Sequence, residues 1–125
     1  MLPDAIAPDG PEVYFRVLDA SRASLVEIVL RPGGTSRPVR HRTVEEVWYL
    51  LRGSGEVWRR SPGTSSAETI SVAAGDVVVI PTGCDFQFRA SGDEELRFLC
   101  FTVPPWPGEE EAVAVSDGGL GEPTV

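Results

Sequence analysis

The chain contains one histidine, His41, and no lysine, so few kinds of chemistry are open to it. Its 11 cationic residues are all arginines, and 19 aspartates and glutamates outnumber them, which gives a formal net charge of −8. The absence of lysine excludes Schiff-base catalysis and a phosphate-binding loop lysine. A single imidazole excludes a metal site built from two or three histidines of one chain, and any Ser–His or Cys–His mechanism must use His41.

Glu46 is the second residue whose position points to chemistry. Alternation along Val44 to Leu51 predicts a strand with two sides, one carrying Glu46, Trp48 and Leu50, and the other carrying Val47, Tyr49 and Leu51. Because both sides are largely apolar, we expect both to be covered. A carboxylate on such an apolar face costs several kcal/mol unless it is paired, so Glu46 is anomalous there.

Short apolar segments separated by turn residues must position these two side chains. No helical period stands out, and the segments predict about eight strands: Val13 to Leu18, Ser24 to Leu30, Val44 to Leu51, Gly55 to Arg60, Glu68 to Val72, Asp76 to Ile80, Phe86 to Arg89 and Leu96 to Val103. This pattern is typical of a single closed or two-sheeted all-β domain.

The composition also bears on partners and compartment. An acidic chain lacks the basic surface that nucleic acids and anionic membranes require, so we expect neither as a partner. Cys84 and Cys100 form no CxxC motif and are too few for a disulfide scaffold, which favours two reduced thiols. Residues 1–10 carry acids and prolines where a signal peptide would be basic and then apolar, so we predict a cytoplasmic protein.

Charge and composition divide the chain into three parts. We predict an N-terminal arm over residues 1–11, a β-domain over 12–104 and an acidic tail over 105–125. The tail is rich in glycine and acids, which predicts an extension that the β-domain does not need, and Glu109 to Glu111 is interpreted as a solvated charge run. Trp106, held between prolines, is expected to pack either over the mouth of the domain or on a neighbouring subunit.

Two stretches of the chain fit known sequence motifs. Gly33 to Gly53 fits the first cupin motif and Gly75 to Ala90 fits the second, with ten positions in register: Gly33, Val39, His41, Glu46, Gly53, Gly75, Pro81, Gly83, Phe86 and Ala90. The chain therefore resembles small single-domain bacterial cupins over most of its β-domain. The resemblance implies an all-β fold, a double-stranded β-helix or jelly-roll cupin barrel.

The resemblance also indicates where a metal would bind. Cupins that hold a metal typically use two histidines and a glutamate of the first motif and a histidine of the second, and here these positions carry Val39, His41, Glu46 and Phe86. His41 and Glu46 are two ligands at most, whereas a catalytic divalent metal usually has three from the protein, so no metal cofactor is expected. The substitutions predict an apolar pocket instead, lined by Val39, Trp48, Leu50, Phe86 and Phe88.

His41 and Glu46 would project into this pocket as a hydrogen-bonded pair. Burial raises the pKa of a carboxyl and a neighbouring imidazole lowers it again, so the two side chains could share a proton near neutral pH and act as an acid–base pair. The alternative is a relic ion pair that only satisfies itself inside the barrel.

These residues predict a protein that binds a small apolar or aromatic metabolite. The first hypothesis is a metal-independent isomerase, cyclase or dehydratase of bacterial secondary metabolism, because an arginine-rich chain without lysine is typical of a GC-rich genome. The second is a metal-dependent oxygenase or isomerase in which Cys84 or Asp85 supplements His41 and Glu46. The third is a non-catalytic ligand-binding or sensor module. An exposed edge strand also favours a homodimer.

Overall fold

Antiparallel strands account for nearly all the regular structure in the computed structural model, which describes residues 2–125. The strands are β1 (Ala5–Ile6), β2 (Glu12–Val17), β3 (Ser24–Leu30), β4 (Val39–His41), β5 (Glu45–Arg52), β6 (Ser54–Arg60), β7 (Ala67–Ala73), β8 (Val77–Ile80), β9 (Asp85–Ser91), β10 (Leu96–Val103) and β11 (Ala112–Ala114). A 3-10 helix covers Glu109–Glu111. Within residues 2–125, no helix has the length and apolar character needed to cross a bilayer.

The strands form two sheets that face each other. One sheet has the order β1-β2-β3-β10-β5-β8 and the other has the order β11-β4-β9-β6-β7. Strands distant in sequence are neighbours, as where β10 lies between β3 and β5, so the chain crosses repeatedly from one sheet to the other. This arrangement confirms the predicted all-β jelly-roll barrel.

Eight of the strands were predictable from apolar alternation and turn residues. Ser24–Leu30 and Leu96–Val103 have the predicted bounds, and the bounds of the other six agree within two residues. The strands that the pattern missed are β1, β4 and β11, which are two or three residues long. So short a segment shows no alternation, and its pairing depends on distant parts of the chain.

The core between the sheets is built around aromatic side chains. Trp48 of β5 stacks on Phe98 of β10, with ring centroids 4.3 Å apart, and meets Phe88 of β9 edge to face at 5.0 Å. Alternation along the three strands points all of these rings inward, and each is at most 1% exposed. The same alternation carries Glu46 to the inner side beside Trp48.

The outer side of β5 is not covered as the sequence predicted. Tyr49 is 43% exposed and Leu51 is 39% exposed, and both lie on the outer side of the six-stranded sheet. The expectation that both sides of this strand are buried is therefore wrong for the single chain. Apolar alternation shows which residues share a side, but it does not show whether another layer covers that side.

The tail packs on the barrel and contributes a strand to it, whereas its composition predicted an extension outside the fold. Strand β11 pairs with β4, placing Ala112 opposite His41. Glu111 is buried, and its carboxylate accepts hydrogen bonds from the backbone amides of Thr43 and Val44 at 2.5 and 2.8 Å. The backbone amide of Thr35 donates to the hydroxyl of Thr124. Composition failed here because the tail gains its order from pairing with the barrel and not from a core of its own.

Candidate functional site

A cavity of about 350 Å³ opens between the two sheets. Its walls are mostly apolar and include Ile6, Phe15, Val26, Trp48, Phe86, Phe88, Phe98, Cys100, Pro105 and Trp106. Its polar lining consists of Asp9, Ser24, His41, Glu46, Thr102 and Glu109. A mostly apolar cavity of this size with a few converging polar groups is typical of a site for a small organic molecule.

Three strands carry the central polar groups of the cavity. Glu46 lies on β5, opposite Thr102 of β10 on one side and Ile80 of β8 on the other. His41 is the last residue of β4, in the facing sheet, where β11 pairs alongside it. The two side chains therefore point inward from different sheets. Alternation predicts only the side of its own strand that each residue occupies, whereas the jelly-roll fold brings the two residues together.

The imidazole of His41 faces the carboxyl of Glu46 across a short gap. The distance from Nδ1 of His41 to Oε2 of Glu46 is 3.9 Å, which is too long for a hydrogen bond. Nδ1 is buried and has no hydrogen-bond partner among the described residues. The two predicted site residues are thus brought together, but without the hydrogen bond that the sequence led us to expect.

Aromatic rings hold His41 from two sides. Phe86 meets the imidazole edge to face with centroids 5.1 Å apart, and Trp106 does the same at 5.3 Å. The backbone amide of Trp106 donates to the hydroxyl of Ser24 at 3.1 Å, which fixes the segment that carries the indole. Of the two positions expected for Trp106, the structure shows the one over the mouth of the barrel.

Burial sets the protonation of the pair. It raises the pKa of Glu46 from 4.5 to about 7, although the indole N–H of Trp48, which donates to Oε1 at 3.0 Å, acts in the opposite direction. Burial lowers the pKa of His41 from 6.5 to about 4, and the nearby Glu111 only partly offsets this. At neutral pH the imidazole is therefore neutral and lies beside a carboxyl that titrates.

Asp9 is a further acidic group in the cavity that sequence reasoning missed. It lies in the turn between β1 and β2 and lines the cavity. Burial raises the pKa of Asp9 to about 6, and the negative charge of Asp9 raises the pKa of Glu46 further. The only local signal was a turn sequence, Pro8 to Pro11, which predicts a loop and not where that loop packs.

The other predicted pocket residues are divided by the structure. Trp48, Phe86 and Phe88 line the cavity together with His41 and Glu46. Val39 and Leu50 are buried at 4% and 1% exposure and pack in the core without lining it. Both side chains lie on the inner side of their strands, as predicted, but they pack against other core side chains and not against the cavity.

The non-standard metal ligands considered from the sequence do not reach this cavity. The carboxylate of Asp85 is bound by Arg40 and Arg60, and the thiol of Cys84 donates to the backbone carbonyl of Asp85 at 3.4 Å. Cys84 lines a different, shallow depression with Arg59 and Glu68. The hypothesis that Cys84 or Asp85 completes a metal site with His41 and Glu46 is therefore wrong.

The ligands that remain do not fit a divalent metal. His41 and Glu46 supply two ligating groups, and Val39 and Phe86 have no atom that can bind a metal. Across residues 2–125, no three or more His, Cys, Asp or Glu side chains are grouped so that they could hold a metal ion. The chemistry of this cavity is therefore derived from its acids, its imidazole and its aromatic rings.

Comparisons with known proteins agree with the fold. The chain is 28% identical over 103 residues to an uncharacterized protein of Methanocaldococcus jannaschii, covering 82% of this chain and 74% of that protein. It superposes on Lactobacillus farciminis oxalate decarboxylase with a TM-score of 0.72 at 18% identity, over 87% of this chain but only 32% of that one. It superposes on peruvianin-I, a cysteine peptidase from Thevetia peruviana latex, with a TM-score of 0.75 at 17% identity, over 92% of this chain and 74% of that one.

At these identities the solved structures establish the fold alone, and the chain spans about a third of the oxalate decarboxylase that it matches. The family comparison is more specific. The family model of the cupin domain matches residues 26–102, which is more than half of the chain and includes both motifs recognised in the sequence. The chain belongs to the cupin family.

Proposed function

We propose that this cupin binds a small apolar or aromatic metabolite in its cavity and transfers a proton on it without a metal, in an isomerisation, cyclisation or dehydration. One observation carries the proposal: the carboxyl of Glu46 lies at the wall of an apolar cavity, and its pKa is raised to about 7. A group that titrates near the working pH is present in both forms, so it can act as an acid or as a base.

Glu46 is the group that moves the proton in this proposal. The indole N–H of Trp48 holds Oε1, which leaves Oε2 directed toward His41. As a carboxylate, Glu46 takes a proton from one atom of the ligand, and as a carboxylic acid it returns the proton to another. The net change is an isomerisation, and neither an oxidant nor a reductant is needed.

His41 positions the ligand and does not supply the proton. With a pKa of about 4 the imidazole is neutral at pH 7, so one ring nitrogen accepts a hydrogen bond and the other donates one. A polar ligand atom between His41 and Glu46 would satisfy Nδ1, which no described residue reaches. Phe86 and Trp106 hold the ring in place for this contact.

A cytoplasmic location and a place in bacterial secondary metabolism belong to the same proposal. They rest on the absence of lysine and on the composition of the chain, not on the geometry of the cavity. The assay that tests the proposal therefore does not require the metabolic pathway of the protein to be known.

The test is solvent exchange in D₂O. The protein is incubated with pooled small-molecule extracts, and mass spectrometry identifies compounds that gain deuterium or change into an isomer of the same mass. We expect labelling or conversion with the parent protein and at least a 100-fold slower rate with Glu46→Gln, which keeps an acceptor for Trp48 but cannot ionise. The matched control is Glu110→Gln, an exposed acid outside the cavity, which should not change the rate.

Either of two outcomes would contradict the catalytic proposal. One is a rate with Glu46→Gln within a few-fold of the parent rate. The other is a ligand that raises the melting temperature while no compound is labelled, which would make the protein the non-catalytic binding module that the sequence left open.

A further inference from the structure

Acidic and imidazole groups at the centre of the cavity have few partners within the protein. Nδ1 of His41, on a residue that is 4% exposed, has no partner among the described residues, and the carboxyl of Asp9 receives a hydrogen bond from its own backbone amide but from no described side chain. The carboxyl of Glu46 receives one short bond, from the indole of Trp48, and has only the thiol of Cys100 and the hydroxyl of Thr102 as other neighbours. The indole N–H of Trp48 is therefore already in use.

The charges around the cavity have one sign. Asp9, Glu46 and Glu109 line it, and none of its described lining residues is an arginine. Arg37 is the cation nearest to Asp9, and its guanidinium donates to the backbone carbonyl of Val125. Among residues 2–125 no arginine lines the cavity, and Arg37 only partly offsets the raised pKa of Asp9, so a cationic ligand would supply the partner that buried carboxylates normally have.

We propose that the ligand is an organic amine, with its ammonium group among Asp9, Glu46 and His41 and its apolar or aromatic body against Trp48 and Phe86. This inference rests on the proposed function, because it names the class of molecule that the same cavity takes. A primary ammonium group is both a cation and a hydrogen-bond donor, so it can pair with the carboxylates that line the cavity and donate to an unpartnered imidazole nitrogen. The aromatic rings add a favourable interaction with the cation, and the apolar walls hold the body of the ligand.

The test compares three probes with the same ring: 2-phenylethylamine, 2-phenylethanol and phenylacetate. Calorimetry and ligand-observed NMR at pH 7.5 measure the binding of each. We expect the amine to bind at least 10-fold more tightly than the alcohol, and the carboxylate to bind least. Asp9→Asn and Glu46→Gln should each reduce the amine-to-alcohol ratio by 5-fold or more, while Glu110→Gln should leave this ratio unchanged.

The outcomes distinguish failure of the amine inference alone from failure of the proposed function as well. If the alcohol binds as well as the amine, the amine inference is overturned and the apolar cavity stands. If all three variants weaken the amine equally, its binding reflects the acidic surface and the inference is overturned as well. If none of the three probes binds, the amine inference is overturned, and so is the proposal that the cavity binds a small organic molecule.

Discussion

Glu46 and Asp85 are both buried carboxylates, 8% and 6% exposed, yet the protein treats them in opposite ways. Asp85 accepts three hydrogen bonds of 2.7–2.9 Å from the guanidinium groups of Arg40 and Arg60. Glu46 accepts one short bond from a neutral indole and has no arginine beside it among the described residues. Asp85 is compensated by the protein itself, whereas Glu46 is not.

The difference shows how a buried acid can be assigned a structural or a chemical role. A carboxylate with cationic or backbone partners has a fixed charge and links the strands around it. Burial raises the pKa of Glu111, but hydrogen bonds from the amide and hydroxyl of Thr43 and from the amide of Val44 lower it overall, so Glu111 is of this kind. A carboxylate without such partners has a raised pKa and faces the cavity, so its charge depends on pH and on what binds there.

Removing Asp85 should give the largest loss of stability. Asp85→Ala removes three charge-assisted hydrogen bonds, each worth about 1.5–3 kcal/mol, and the partial exposure of Arg40 and Arg60 reduces the net loss to about 3 kcal/mol. We expect the free energy of unfolding to fall by about this amount in urea denaturation. A loss below about 1 kcal/mol would remove the contrast with Glu46, because the ion pairs would then contribute little.

Replacing Glu46 should do the reverse and stabilise the protein above neutral pH. Because the pKa of Glu46 is about 7 in the folded protein and returns to its ordinary value of 4.5 on unfolding, folding binds a proton, and the parent loses stability as pH rises from 4.5 through 7. Glu46→Gln cannot ionise and avoids this loss. We expect the variant to be more stable by about 3 kcal/mol at pH 8, with a difference near zero at pH 4.5.

Urea denaturation of both proteins at the two pH values checks this prediction. His41→Asn is the informative comparison, because it removes the neighbour of Glu46 without changing the charge at pH 7. It should keep the pH dependence of the parent. Equal stability of the parent and Glu46→Gln at pH 8 would mean that Glu46 is compensated after all, as Asp85 is.

An exposed ion pair should give the smallest effect. Arg52 and Glu94 lie 3.2 Å apart, and their side chains are 62% and 61% exposed. Because solvent screens such a pair, Arg52→Ala should change the free energy of unfolding by less than about 0.5 kcal/mol. A larger loss would show that surface pairs also link these strands and that burial is not what sets Asp85 apart.

Part of this contrast was predictable from the sequence and part was not. Alternation along β5 placed Glu46 on the inner side with Trp48, and the cupin motifs placed His41 near it. The partners of Asp85 come from β4 and β6, which no local pattern can align. Local pattern shows which side of a strand a residue occupies, whereas compensation of its charge depends on strands that meet only in the fold.

Asp9 and the tail illustrate the same limit. Asp9 lies in a loop that packs on a distant part of the chain, where its backbone carbonyl accepts from the amide of Arg37. The pairing of β11 with β4 places the tail beside His41, although its composition resembles that of an unstructured extension. In both cases long-range packing decides the position, and neither alternation nor composition records it.

Trp48 gives the site an optical reporter. Its indole N–H donates to Oε1 of Glu46, and its ring stacks on Phe98 in the core. Ionisation of Glu46 changes the electric field at the indole, and a bound ligand displaces water beside it, so both events should alter its fluorescence. With Trp58 and Trp106 replaced by phenylalanine, the emission of Trp48 would follow the charge of Glu46 without any added label.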